Sequence, residues 1–101
     1  MILYELLEEI RKKYVIIKTT HPITFWKEDS CGYTEECYAA GIYTKEQIDY
    51  ITKNGTKIQI CENPEAYDWC LKNLIYFAIP VGDLQLFLYL LKGFKRYGKA
   101  R

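Results

Sequence analysis

Leu3, Leu6, Leu7, Ile10 and Tyr14 recur at i, i+3, i+4, i+7 and i+11. This is one face of an amphipathic helix, and it predicts a helix over residues 2–13. Glu8–Lys12 and Glu9–Lys13 add i,i+4 pairs in the favourable order. The period then changes. Tyr14-Val15-Ile16-Ile17-Lys18-Thr19 is β-branched and aromatic, which predicts a strand. Thr20-His21-Pro22 reads as a turn, and Ile23-Thr24-Phe25-Trp26-Lys27 as a second strand completing a hairpin. In that strand Thr24 and Trp26 share one face, while Ile23, Phe25 and Lys27 share the other.

Residues 28–41 show no period and read as irregular. Gly41 is expected to take a conformation other residues avoid. Ile42-Tyr43 is read as a short third strand. Thr44 with Gln47 three residues on forms a capping box. It opens a helix whose apolar face is Ile48 and Ile51, extended by Tyr50, and Asn54-Gly55 ends that helix as a left-handed cap. Lys57 to Cys61 alternates as a strand. Asn63-Pro64 starts a short helix carrying Ala66, Tyr67, Cys70 and Leu71, with Asn73 closing it. Leu74 to Ile79 is continuously apolar and stops at Pro80. It reads as a central strand, with a continuation of the preceding helix as the competing reading.

Asp83 is expected to cap a last helix from Leu84 to about Tyr97. Its row Leu84, Phe87, Leu88, Leu91 and Phe94 should dock on the sheet. A second row, Leu86, Leu90, Gly93 and Tyr97, widened by Tyr89, is surplus to what one surface helix needs. The order is helix, hairpin, short strand, helix, strand, helix, strand, helix. It predicts a single α+β domain over residues 1–101, with a small, mainly antiparallel sheet covered by helices.

Composition sharpens this picture. Ten Tyr, four Phe and two Trp make 16% of the 101 residues aromatic, more than a modest core readily holds. Some are expected at the surface as interface anchors. The formal net charge is +1, but it is unevenly distributed. Residues 1–50 hold six basic against nine acidic side chains, and residues 51–101 hold eight against four. After Asp83 there is no acid, only Lys92, Lys95, Arg96, Lys99 and Arg101. No basic-then-apolar leader is visible at residues 1–10, and no apolar run approaches a bilayer span. The chain is expected to be soluble and cytoplasmic.

Candidate chemistry is sparse. There is one histidine, His21, in a turn, and one serine, Ser30. No phosphate loop, dinucleotide fingerprint or calcium loop occurs, so the reading is not an enzyme and no cofactor is expected. A cysteine–histidine pair through His21 is the one nucleophilic arrangement left open. Cys31, Cys37, Cys61 and Cys70 are spaced without a zinc knuckle. They read as free thiols, with disulfides or a zinc site including His21 as the alternatives. Glu28, Asp29, Glu35 and Glu36 form an acidic stretch, read either as a solvated loop or as a patch that meets a basic partner.

Gly32-Tyr33-Thr34, five residues, then Ala40-Gly41-Ile42-Tyr43-Thr44-Lys45-Glu46 resembles a pattern in small phage and prophage proteins. There an aromatic strand precedes Gly-Tyr-Thr and an Ala-Gly-x-Tyr-Thr segment opens a helix. Phe25-Trp26 stands where those proteins often carry paired tryptophans. The resemblance covers about residues 14–53 and implies an interaction protein, of the kind that includes anti-CRISPR inhibitors. The expected function is therefore inhibition of a host factor, a bacterial defence nuclease complex, by occupying its surface. The partner would be a host protein or ribonucleoprotein, with no membrane and no direct nucleic-acid binding. The contacting residues are read as Trp26, Tyr33 and Tyr43, or Lys92, Lys95, Arg96 and Tyr97. Self-association is expected through Leu86, Leu90 and Tyr97. The alternative is a homo-oligomeric sponge for an anionic small ligand such as a cyclic nucleotide, with aromatics stacking on bases and cations holding phosphates.

Overall fold

The computed structural model describes residues 2–3 and 13–98, with side chains in the last helix as far as Gly93. The helix expected over residues 2–13 falls almost entirely outside the described residues, except that Lys13 begins the first strand. The strands are β1 (Lys13–Lys18), β2 (Thr24–Trp26), β3 (Tyr33–Thr34), β4 (Tyr43–Thr44), β5 (Gln59–Ile60) and β6 (Tyr76–Pro80). The helices are α1 (Lys45–Lys53), α2 (Tyr67–Asn73) and α3 (Leu84–Gly98). Short 3-10 turns occupy Glu28–Ser30, Cys37–Ala39, Pro64–Ala66 and Val81–Asp83.

The six strands form one sheet in the order β3-β2-β1-β6-β5, with β4 also on β1. All pairs are antiparallel except β5 with β6, which run parallel. The chain is thus a mainly antiparallel α+β fold. α2 lies in the connection between the two parallel strands, as parallel pairing requires. β1 pairs with the whole of β6, Tyr14 to Lys18 against Pro80 to Tyr76. Its other edge is shared. β4 meets Lys13 and Tyr14, and β2 meets Ile17 and Lys18.

Both faces of the sheet are buried. Val15, Ile17, Phe25, Phe77 and Ile79 face α2 and α3, packing with Tyr67, Cys70, Leu71, Phe87 and Leu91. Tyr14, Ile16, Trp26, Tyr43 and Ala78 face the α1 side, with Ile48 and Ile58. Burial on both faces explains why Tyr14–Ile17 and Phe77–Ile79 are unbroken apolar runs rather than alternating ones. Tyr67, Phe77, Phe87 and Phe25 make edge-on or tilted ring contacts at 6.0 to 6.5 Å.

Local signals build the helices as expected. Gln47 N donates to Thr44 Oγ1 at 3.2 Å, and Thr44 N donates to Gln47 Oε1 at 2.7 Å. Asn63 Oδ1 accepts from Glu65 N at 3.1 Å ahead of Pro64. Gly55 has φ +114° beyond the end of α1. On α3 the row Leu84, Phe87, Leu88 and Leu91 packs inward as expected, while Phe94 lies outside the described side chains.

Several expectations need correction. Residues 28–41 are not wholly irregular, since Tyr33-Thr34 pairs with Phe25 and Trp26 as β3. Tyr50 is exposed rather than on the inner face of α1. Asp83 ends a 3-10 turn that runs straight into α3, and its carboxylate accepts from Tyr67 Oη at 2.8 Å. Gly41 is present for close approach, not for a left-handed backbone. Its N–H donates to Trp26 O at 2.7 Å, and a Cβ there would stand 2.6 Å from Glu28 N and 2.7 Å from Lys27 C.

Candidate functional site

The aromatics expected at the surface divide into two sets. Trp26 and Tyr43 are buried, 7% and 3% exposed, so neither presents a contact surface as expected. Trp26 sits on the α1 side of β2, ringed by Tyr33, Tyr43 and Tyr76 in perpendicular contacts at 5.5 to 6.3 Å. Its Nε1 is buried with no hydrogen-bond partner among the described residues. Tyr43 is a clasp on the turn after β2. Its hydroxyl donates to Lys27 O and accepts from Ser30 N at 3.1 Å. That clasp holds a turn in which Asp29 and Ser30 both have positive φ, 54° and 56°, a costly conformation for non-glycine residues.

Tyr33 is 46% exposed. Lys18 Nζ lies 4.3 Å above the Tyr33 ring centroid, a cation–π distance. The Tyr33 and Tyr76 hydroxyls are 3.4 Å apart. That contact, more than burial, pushes the Tyr76 phenol above its ordinary value of 10.0. Neither Lys18 nor Tyr76 was singled out from the sequence. Cross-strand position joins them, because Lys18 stands directly opposite Tyr76 in the β1–β6 register.

Glu28, Asp29, Glu35 and Glu36 are all exposed. Trp26 pairs with Tyr33 and Phe25 with Thr34. Glu28 and Asp29 therefore lie in the turn that joins β2 to β3, and Glu35 and Glu36 follow β3. Lys92 is exposed. Lys95, Arg96 and Tyr97 lie beyond the described side chains.

The outer side of α3 carries Leu86 (42% exposed), Tyr89 (74%) and Leu90 (38%). Trp69 on α2 is also exposed, and it had not been singled out. Helical period would have found it, because Tyr67, Cys70 and Leu71 take the inner face and leave Trp69 opposite. Tyr38, in a 3-10 turn, is another exposed aromatic, and no periodic signal marks it.

The thiols are free and separate in environment. Cys31 is exposed, Cys37 half-buried, and Cys61 and Cys70 buried. Burial, followed by a hydrogen bond with Cys61, pushes the Cys70 thiol up to about 12. Among the described residues no three His, Cys, Asp or Glu side chains gather as metal ligands. His21 is exposed in its turn. No described helix is long and apolar enough to cross a membrane.

No family model, curated protein or solved structure matches the chain.

A surface groove of about 430 Å³ opens where the α1–β5 and α2–β6 connections meet. It is lined by the 55–57 segment, Gln59, Asn73 and the 74–76 segment. Thr19 fixes one wall, its Oγ1 donating to Leu74 O and its N–H to Ile75 O at 2.9 Å.

Proposed function

We propose that this chain is a non-enzymatic interaction protein of a phage or mobile element. It acts by occupying the surface of a host factor, with a bacterial defence nuclease complex as the expected target. The observation that carries the reading is the double-sided character of α3. Phe87 and Leu91 close the core while Leu86, Tyr89 and Leu90 remain in solvent on the other side. A helix with its core-facing stripe already filled has no folding reason to keep a second apolar row.

The size of this face bears on the kind of partner. Leu86, Tyr89 and Leu90 together expose on the order of 300 Å², the scale of a functional patch on a monomer. A specific complex buries roughly 800 Å² per partner. The contact must therefore extend beyond these three residues, and the exposed Trp69 on α2 and the cationic stretch Lys92 to Arg96 are the further anchors on offer. Aromatic anchors of this kind carry most of the binding energy once desolvated. The same face would serve self-association, the expectation drawn from Leu86, Leu90 and Tyr97.

The test is comparative. Tagged wild type and a Leu86→Lys/Leu90→Lys double variant are each used to capture partners from a bacterial lysate, with unfolding midpoints showing both folded. Wild type should retain one partner near equimolar amount and the variant should lose it. Equal capture by both, or none by either, refutes the assignment of this face. Sedimentation of the two proteins separates a second copy of the chain from a foreign partner.

A further inference from the structure

We propose that the Lys18–Tyr33–Tyr76 cluster and the adjoining groove bind a phosphorylated, ring-bearing ligand the size of a nucleoside monophosphate. This site is separate from the α3 face. Tyr76 packs in the cluster on the α1 side of the sheet, whereas α3 covers the opposite side.

The first argument is charge. Lys18 and Lys57 are the charged residues of the cluster and the groove lining, and no carboxylate belongs to either set. Among the described residues the one ion pair is Lys72 with Asp68, at 3.0 Å, so neither cation is matched by a described acid within 4.0 Å. β1 and β5 flank β6. Lys18 stands opposite Tyr76 across β1 and β6, and Lys57 lies ahead of β5 on the groove wall. Lys18 thus supplies positive charge at the hydroxyl pair, and Lys57 supplies it at the groove wall.

The second argument is the surplus of donors. The Tyr33 and Tyr76 hydroxyls meet at 3.4 Å, a long contact in which at most one proton is used. An oxyanion between them would accept from both, and from Lys18 above the Tyr33 ring. A phosphate, with several acceptor oxygens and up to two negative charges, uses such a set more fully than a carboxylate does.

The third argument is shape. Tyr76 belongs both to the hydroxyl pair and to the wall of the groove. The volume of about 430 Å³ falls within the usual range for small-ligand sites, roughly 300–1,000 Å³. Thr56, Gln59 and Asn73 line the groove with amides and a hydroxyl that suit the polar edges of a base or sugar.

The experiment is an amide chemical-shift titration of the full chain with the four nucleoside monophosphates. Adenosine and inorganic phosphate are titrated as separate arms. At least one nucleotide should produce saturable shifts around residues 18, 33, 57 and 76. Adenosine and phosphate should each bind at least about tenfold more weakly, since each keeps only part of the contact set. Lys18→Gln should weaken nucleotide binding about tenfold with an unchanged unfolding midpoint, and Tyr76→Phe by a smaller factor. No saturable shift up to about 10 mM overturns the proposal. So does phosphate or adenosine binding as tightly as the nucleotide, or a Lys18→Gln variant that binds like wild type.

Discussion

Replacing Gly41 with alanine isolates the close approach that pins the β2–β3 hairpin to the rest of the sheet. The added Cβ would lie 2.6 Å from Glu28 N, 2.7 Å from Lys27 C and 2.8 Å from Glu28 Cα. All three are backbone atoms, so no side-chain rotation relieves the overlap. Ordinary carbon contacts begin near ~3.5 Å, and the two segments must part by nearly 1 Å. That separation breaks the 2.7 Å bond from Gly41 N to Trp26 O, at about 1 kcal/mol. Overpacking strain adds about 1–3 kcal/mol. The expected loss is therefore about 2–4 kcal/mol. Gly93→Ala provides the control, because Gly93 lies inside α3 with nothing within 4 Å of its would-be Cβ. It should stabilise by about 0.5–1 kcal/mol. Urea unfolding followed by tryptophan fluorescence reads both. At a slope near ~1.5 kcal/mol/M, Gly41→Ala should move the midpoint down by about 2 M, and Gly93→Ala should move it up by less than about 1 M. A Gly41→Ala midpoint within about 0.3 M of wild type would refute the close-approach argument.

Three further outcomes follow from the packing. Tyr67→Phe removes the hydroxyl that donates to Asp83 at 2.8 Å and should cost about 1–3 kcal/mol in the same assay; a neutral result means that water satisfies the carboxylate equally well. The Cys70 thiol sits at about 12 against an ordinary 9.0, chiefly through burial. Its neutral form is favoured by folding, so this contribution is intact below pH 9 and is lost as pH rises from 9 towards 12. Cys70→Ala should flatten the fall of the urea midpoint between pH 9 and 10.5, and identical pH profiles would contradict the burial argument. Thr44→Ala removes one half of the capping box and should lower stability by about 1 kcal/mol, while Thr44→Ser should restore most of it.

Much of the architecture is legible in one dimension because burial leaves a periodic trace. Tyr14–Ile17 and Phe77–Ile79 are unbroken apolar runs, and both prove to be central strands covered on two faces. Thr44 with Gln47, and Asn63 with Pro64, mark helix starts through local hydrogen bonds that need no tertiary partner. What escapes is set by contacts between distant segments. Two-residue β3 is too short to show a period. The parallel direction of β5 against β6 leaves no mark in hydrophobicity. Trp26 and Tyr43 point to a predictable side of their strands, but whether that side is covered depends on α1. The Lys18–Tyr76 pairing joins residues 58 positions apart in the chain, and only the sheet register brings them together. Gly41 reads as a turn residue until Lys27 and Glu28 are seen against it.

β1 also determines when the chain can fold during synthesis. It contacts three strands, and its longest partnership, with β6, spans 66 residues at Tyr14–Pro80. A nascent chain that has not yet emerged past Pro80 has one long edge of its most apolar strand open. That edge displays Val15, Ile16 and Ile17 together with unpaired backbone groups, a template for pairing with neighbouring chains. High contact order of this kind slows folding relative to a helical protein of similar size. Truncation before residue 76 should therefore yield insoluble material rather than a smaller folded unit, and soluble expression should require the end of β6.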